Sequence, residues 1–121
     1  MPEAPPAAAN PEAGITELLT RYRSALEARD LDALKRVWPG LAGAAQTALR
    51  EEFRHASHIT VEIVNPRTSV TGAAGTVSFI RRYELLTVEG QRLRTETRTT
   101  MQVRQTGAAW VIDGIRFEPI R

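Results

Sequence analysis

The hydrophobic period of this chain changes once, near Ser57, and that change constrains the fold more than any other feature. Before it, apolar residues recur at helical spacing. Ile15, Leu18, Leu19, Tyr22 and Leu26 fall on one stripe of a first helix, with Glu17, Arg21 and Glu27 on the opposite side. Asp30 stands where an N-cap would, ahead of a short second helix from Leu31 to about Val37. That helix buries Leu31, Leu34 and Val37 and stops before Pro39-Gly40. A third helix, around Gly43 to His55, sets Ala45, Leu49 and Phe53 on one side and Arg50, Glu51 and Arg54 towards water. Beyond Ser57 the period is two, and strands are expected near residues 59–71, 76–87, 91–105 and 109–117, separated by glycine-containing turns. Helices followed by a meander of strands is an α+β order. The expected architecture is three N-terminal helices packed on a strongly curved, four-stranded, mainly antiparallel sheet.

Charge sets the register of the central hairpin. A three-residue loop, Val88-Glu89-Gly90, with Gly90 in the left-handed position, pairs Thr87 with Gln91. Counting outward, Glu84 faces Arg94 and Arg82 faces Glu96, while Tyr83, Arg81 and Phe79 face Thr95, Thr97 and Thr99. A slip of two residues would set Glu84 against Glu96 and Arg82 against Arg98, turning attraction into repulsion. A slip of one would mix the two faces. The favoured register gathers Val77, Phe79, Tyr83, Leu85, Leu93, Met101 and Val103 on one face. In the first strand, Asn65-Pro66 interrupts the ladder because proline donates no hydrogen bond, so a bulge is expected there. In the last strand Trp110 and Ile112 point one way, and Val111, Ile115 and Phe117 the other. Three helices cover only one face of a sheet. The second apolar set therefore predicts a homodimer through the sheet, unless a bulge near Gly114 returns these side chains to one core.

Composition narrows the class of partner. With 42% hydrophobic and 25% charged residues in 121, the chain has the balance of one globular domain. The basic residues number 16, all arginine except Lys35, against 14 acidic ones, and they are scattered. Nucleic-acid binding is therefore not expected, despite a high isoelectric point. There is no cysteine for a disulfide or thiolate chemistry. No apolar run reaches the roughly 18 residues of a bilayer span, and no signal-peptide pattern opens the sequence, so a soluble chain without membrane contact is expected. The compartment stays open, leaning to the cytoplasm. Residues 1–13, MPEAPPAAANPEA, carry no large apolar side chain after the initiator and read as a disordered tail or linker, leaving 14–121 as the domain.

The order of elements, the segment YRSALEARDLDALKRVWPG and the closing WVIDGIRF together resemble the nuclear transport factor 2-like superfamily. These are cone-shaped, cystatin-like rolls that include ketosteroid isomerase, scytalone dehydratase and small polyketide cyclases. The chain looks most like the non-catalytic versions that follow Pro/Ala-rich linkers in bacterial signalling proteins. The resemblance implies a conical cavity between helices and concave sheet, holding a small apolar or anionic ligand and no cofactor. Mapped onto this sequence, its lining would be Tyr22, Trp38 and Phe53 from the helices and Phe79, Arg81, Tyr83, Thr97 and Met101 from the sheet. Aromatic and methionine side chains at such spacings also serve as plain core, so the informative member is Arg81, a charge between Phe79 and Tyr83 on the apolar face. Either its head reaches solvent at the rim along its alkyl stem, or it meets a carboxylate or anionic ligand inside. Asp113 is the expected internal partner. Catalysis as a lyase or isomerase would fall to Tyr83 and Asp113 as acid and base; the expectation leans to a non-catalytic ligand-binding or dimerisation module. His55 and His58 lie at the helix-to-strand junction without a third ligand nearby, and no metal site is expected.

Overall fold

The computed structural model describes residues 11–107 and 109–119. Three helices come first: α1 (Pro11–Ala28), α2 (Leu31–Val37) and α3 (Gly43–His55). Four strands follow, β1 (Ala56–Thr71), β2 (Ala74–Thr87), β3 (Arg92–Thr106) and β4 (Ala109–Pro119). They form one open antiparallel sheet in sequence order. The α+β reading holds, with β1, β2 and β4 slightly longer than the alternation alone indicated and β3 shifted by one residue.

Local chemistry explains the helix ends. Proline occupies the first position of α1, where its missing N–H has no partner to lose. Pro11–Ala13 thus belong to the helix and not to a tail; the remainder of the expected tail, 1–10, lies outside the described residues. At the other end Arg29 takes φ 55°, and the N–H groups of Arg29 and Asp30 close onto the carbonyls of Leu26 and Ala25. This is the left-handed helix stop usually made by glycine. Asp30 then caps α2, its carboxylate accepting from Ala33 N–H at 3.1 Å.

The hairpin register is the one that charge dictates. Glu84 pairs with Arg94, Arg82 with Glu96, Tyr83 with Thr95, Arg81 with Thr97 and Phe79 with Thr99. Both ion pairs close at 2.7 Å. Exposed pairs contribute only about 0–1 kcal/mol each; their role is to choose between registers that differ in sign. Gly90 sits at φ 94°, as the loop requires.

The register shifts at three places: once at the start of β1, between Ala56–Thr87 and His58–Leu86, and at two bulges further along. One follows Val64, where Asn65 takes φ 53° and the pairing jumps from Val64–Ile80 to Arg67–Ser78. The other lies in β4: Gly114 opposes Gln102 while Ile112 opposes Val103, leaving Asp113 as the extra residue. It reverses the alternation, so Ile112 and Ile115 both reach the core. The second apolar set expected from sequence therefore dissolves, and with it the argument for a dimer drawn from that set.

The core joins α1, α2 and the concave sheet, with Ile15, Tyr22, Leu26, Leu34, Ile59, Val77, Met101 and Ile112 all at most 2% exposed. Three expectations need correction. Leu93 is 54% exposed, because the helices do not extend over that end of β3. Ala45 is exposed, and α3 contributes no fully buried residue; only Leu49 and Phe53 rest partly against the core, since a cavity lies beneath this helix. Glu27 does not face water alone: its carboxylate accepts the Val61 N–H at 3.0 Å, satisfying a donor on the edge strand β1.

Helix α1 can approach β4 only because residue 14 lacks a side chain. A Cβ there would stand 2.6 Å from Trp110 Cδ1, and that ring is itself buried. Gly14→Ala should therefore lower stability by about 1–3 kcal/mol through overpacking, despite the better helix propensity of alanine. Chemical denaturation measures it, and an unchanged or higher midpoint would contradict the close packing.

Candidate functional site

Beneath α3 the cone keeps a cavity of about 250 Å³, walled by Tyr22, Leu26, Leu34, Trp38, Ala45, Ala48, Leu49, Glu52, Arg81 and Phe117. Its polar content comes from few positions. Strand alternation turns Arg81 inward between Phe79 and Tyr83, opposite Ile63 and Thr97. Its Nη1 donates to Tyr22 Oη at 3.1 Å. The guanidinium carbon lies 4.6 Å from the Tyr83 ring centroid and 4.4 Å from that of Phe117. Such ring contacts stabilise a desolvated cation by about 0.5–2 kcal/mol each. Nε is buried with no hydrogen-bond partner, and Arg81 makes no ion pair among the described residues.

Tyr83 connects this cation to an acid. Its ring packs against Arg81 while its hydroxyl donates to Glu52, a residue of α3 on the cavity wall. Burial, the hydrogen bond to Glu52 and the nearby negative charge all hold Tyr83 well above the ordinary tyrosine range, with Arg81 opposing them. Tyr22 is raised too, chiefly by burial, again against the pull of Arg81. The site is therefore a chain of groups: Tyr22, Arg81, the Tyr83 ring, the Tyr83 hydroxyl and Glu52.

Of the residues expected to line the cone, Tyr22, Trp38 and Arg81 do so, and Tyr83 joins through its contacts with Arg81 and Glu52. Phe79 and Met101 are core, at 3% and 0% exposure, because they sit deeper along the strands where α1 covers the sheet. Phe53 packs partly against the core without reaching the cavity. Thr97 is half-buried, its hydroxyl 3.4 Å from that of Thr99. Asp113 is not the internal partner of Arg81. As the extra residue of the β4 bulge it is exposed and accepts from Arg104 Nε at 3.2 Å. Tyr83 and Asp113 thus have separate partners, Glu52 and Arg104, and no hydrogen bond joins them among the described residues. His55 ends α3, its Nδ1 donating to the Glu51 carbonyl at 2.8 Å, and His58 is exposed on β1.

The sequence reading missed the aliphatic walls Leu26, Leu34, Ala45, Ala48 and Leu49 and, more consequentially, Glu52 and Phe117. Glu52 stands seven residues after Ala45 and three after Leu49, on the same helical face, so spacing alone could have found it. Phe117 reaches the mouth because of the β4 bulge, which alternation counted from Trp110 does not foresee.

A larger depression, about 480 Å³, lies on the outer face among Thr60, Glu62, Arg82, Glu84, Arg94 and Glu96. Its charges already satisfy one another: Arg82 pairs with Glu62 and Glu96, and Glu84 with Arg92 and Arg94. In the cone, by contrast, Arg81 stands on the cavity wall with a buried, unpartnered Nε and no ion pair among the described residues, which makes the cone the better candidate site.

Both tyrosines having raised pKa values fixes the sign of an alkaline effect. Their contribution to stability is complete below about pH 10, the unfolded value, and declines above it, where the unfolded chain ionises first. Absorbance titration should show no tyrosinate step near pH 10 in the native protein and a two-tyrosine step in urea. A native step of one tyrosine's amplitude there would contradict the buried pair.

No family model matches the sequence, and no curated protein is similar to it at a significant level. Solved structures do match. A nuclear transport factor 2-like superfamily protein from Salmonella enterica serovar Typhimurium superposes with a TM-score of 0.78 at 18% identity, over 94% of each chain. A provisionally assigned dehydratase of the same family from Streptomyces avermitilis gives 0.76 at 14% identity, covering 90% of this chain and 96% of its own. A provisionally assigned calcium/calmodulin-dependent protein kinase II association domain from Xanthomonas campestris gives 0.75 at 12% identity, over 98% and 93%. At these identities the likeness speaks for architecture and leaves chemistry open. The chain has the nuclear transport factor 2-like fold.

Proposed function

We propose that the chain is a non-catalytic module that binds a small molecule in its cone. The observation that carries this reading is Arg81: a guanidinium facing the cavity, braced by Tyr22 and two aromatic rings, with no carboxylate partner among the described residues. Breaking a buried ion pair is costly, and stability alone favours replacing an unpaired buried charge by an apolar side chain. A cation kept there serves an acceptor that arrives from outside. The surrounding walls, Leu26, Leu34, Trp38, Leu49 and Phe117, supply the apolar remainder of a small-molecule site.

Catalysis finds less support. Tyr83 is held protonated, and Glu52 is already engaged as its acceptor. An accessory place in a bacterial signalling protein is part of the proposal. It rests on the Pro/Ala-rich composition of residues 1–10 and on the likeness to an association domain from Xanthomonas campestris. Self-association through the sheet remains a separate proposal; its support is now the adjacent half-buried Val64 and Ile80, among charged neighbours.

The test compares stability with binding. Arg81→Met should keep or raise the melting temperature of the free protein, since it removes an incompletely paired charge at similar volume. A mixed panel of small acids and neutral apolar compounds should raise the melting temperature of the wild-type chain by binding the folded state, and less so that of the variant. No rise with any compound, together with a large loss of stability in Arg81→Met, would make the arginine a structural strut and end the proposal.

A further inference from the structure

The cavity wall carries one cation and one carboxylate that do not pair with each other. Glu52 accepts from Tyr83, Arg81 donates to Tyr22, and no ion pair joins the two. From that arrangement, and resting on the ligand-binding reading above, we propose that the ligand is a small arylalkyl carboxylate, with its carboxylate on Arg81 and its apolar body against Trp38, Leu49 and Phe117.

Three features converge on this class. Arginine presents a planar fork of N–H donors, and only Nη1 of Arg81 has a partner among the described residues. A carboxylate matches that fork with two parallel charge-assisted bonds, which a neutral carbonyl cannot supply. Within the cone the half-buried cation meets the Tyr22 hydroxyl and two ring faces but no ion-pair partner among the described residues; a carboxylate on it adds that counter-charge where screening by water is reduced. Glu52, the acid among the lining residues, repels an anion at its own end. It therefore orients the ligand: negative group at Arg81, and towards Glu52 either apolar surface or a hydrogen-bond donor such as a phenol.

Size and shape agree. About 250 Å³ falls below the roughly 300–1,000 Å³ of drug-sized sites, which restricts the ligand to a small one. Phe117 is 44% exposed, an apolar ring left at the mouth with one face against Arg81 and surface still open to cover. Trp38, half-buried at the end of α2, offers a second aromatic surface on the cavity wall. A flat ring against these two would bury apolar area that the free protein leaves wet.

The experiment uses the full chain and matched probes: phenylacetate, 4-hydroxyphenylacetate, their primary amides, and 4-ethylphenol. Binding is followed through the Trp38 indole N–H in proton–nitrogen correlation spectra, the resonance being assigned by Trp38→Phe. The carboxylates should bind at least about tenfold more tightly than the amides, the worth of one charge-assisted contact. Arg81→Met should erase that difference, Arg81→Lys should keep part of it, and Glu52→Gln should strengthen carboxylate binding. Thermal melts of each variant confirm folding. Equal affinity for acids and amides, at the Trp38 site, would overturn the carboxylate assignment while leaving a ligand-binding cone intact. Silence of Trp38 towards every probe at millimolar concentration would overturn both.

Discussion

Strand alternation forces the side chain at residue 81 into the concave face, and nearly everything particular to this molecule follows from arginine standing there. An apolar residue would complete a filled cone. Instead, the chain surrounds a guanidinium with what can hold it short of an ion pair: a tyrosine hydroxyl from α1, two aromatic rings, and an acid kept at one remove by Tyr83. Each partner comes from a different part of the fold. Tyr22 depends on the α1 stripe, Tyr83 on the β2 register, Phe117 on the β4 bulge and Glu52 on α3. The site is therefore assembled only when helices, hairpin register and bulge are all correct.

Packing divides the molecule into a firm part and a looser one. Helices α1 and α2 and the inner faces of all four strands carry the fully buried side chains, whereas α3 has none. Its ties are the partly buried Leu49 and Phe53, the Glu52–Tyr83 bond and the Val88 N–H that reaches the His55 carbonyl at 2.9 Å. A helix held by so few contacts opens at lower cost than the core. It is also the element that roofs the cavity. The same feature that leaves room for a ligand thus places the least constrained helix along the cavity wall.

Much of this was legible in the sequence, for reasons that can be traced to particular residues. The helix boundaries came from Asp30 and Pro39-Gly40, and the register came from two opposite-charge pairs whose slipped alternatives repel. Both are local signals, which tertiary context has little power to overrule. The bulge at Asn65-Pro66 was visible because proline lacks a donor. The second bulge, near Gly114, stood only as the alternative to a dimer face, since nothing in Ile112-Asp113-Gly114 forbids a regular ladder; it is imposed by packing both Ile112 and Ile115 into the core. That one extra residue moved Asp113 outward to Arg104, brought Phe117 to the mouth and removed the apolar outer face. Glu52 was legible by spacing but hidden among the charged residues of a helix that seemed to turn its acids to water.

The most direct measurement is nitrogen-15 spectroscopy of the arginine Nε–H groups. The account predicts one, Arg81, that is protected from exchange and displaced by the ring currents of Tyr83 and Phe117, against fast exchange for outer-face residues such as Arg94. An Arg81 signal that exchanges as fast as that of Arg94 would place the guanidinium in water and contradict the cone as described.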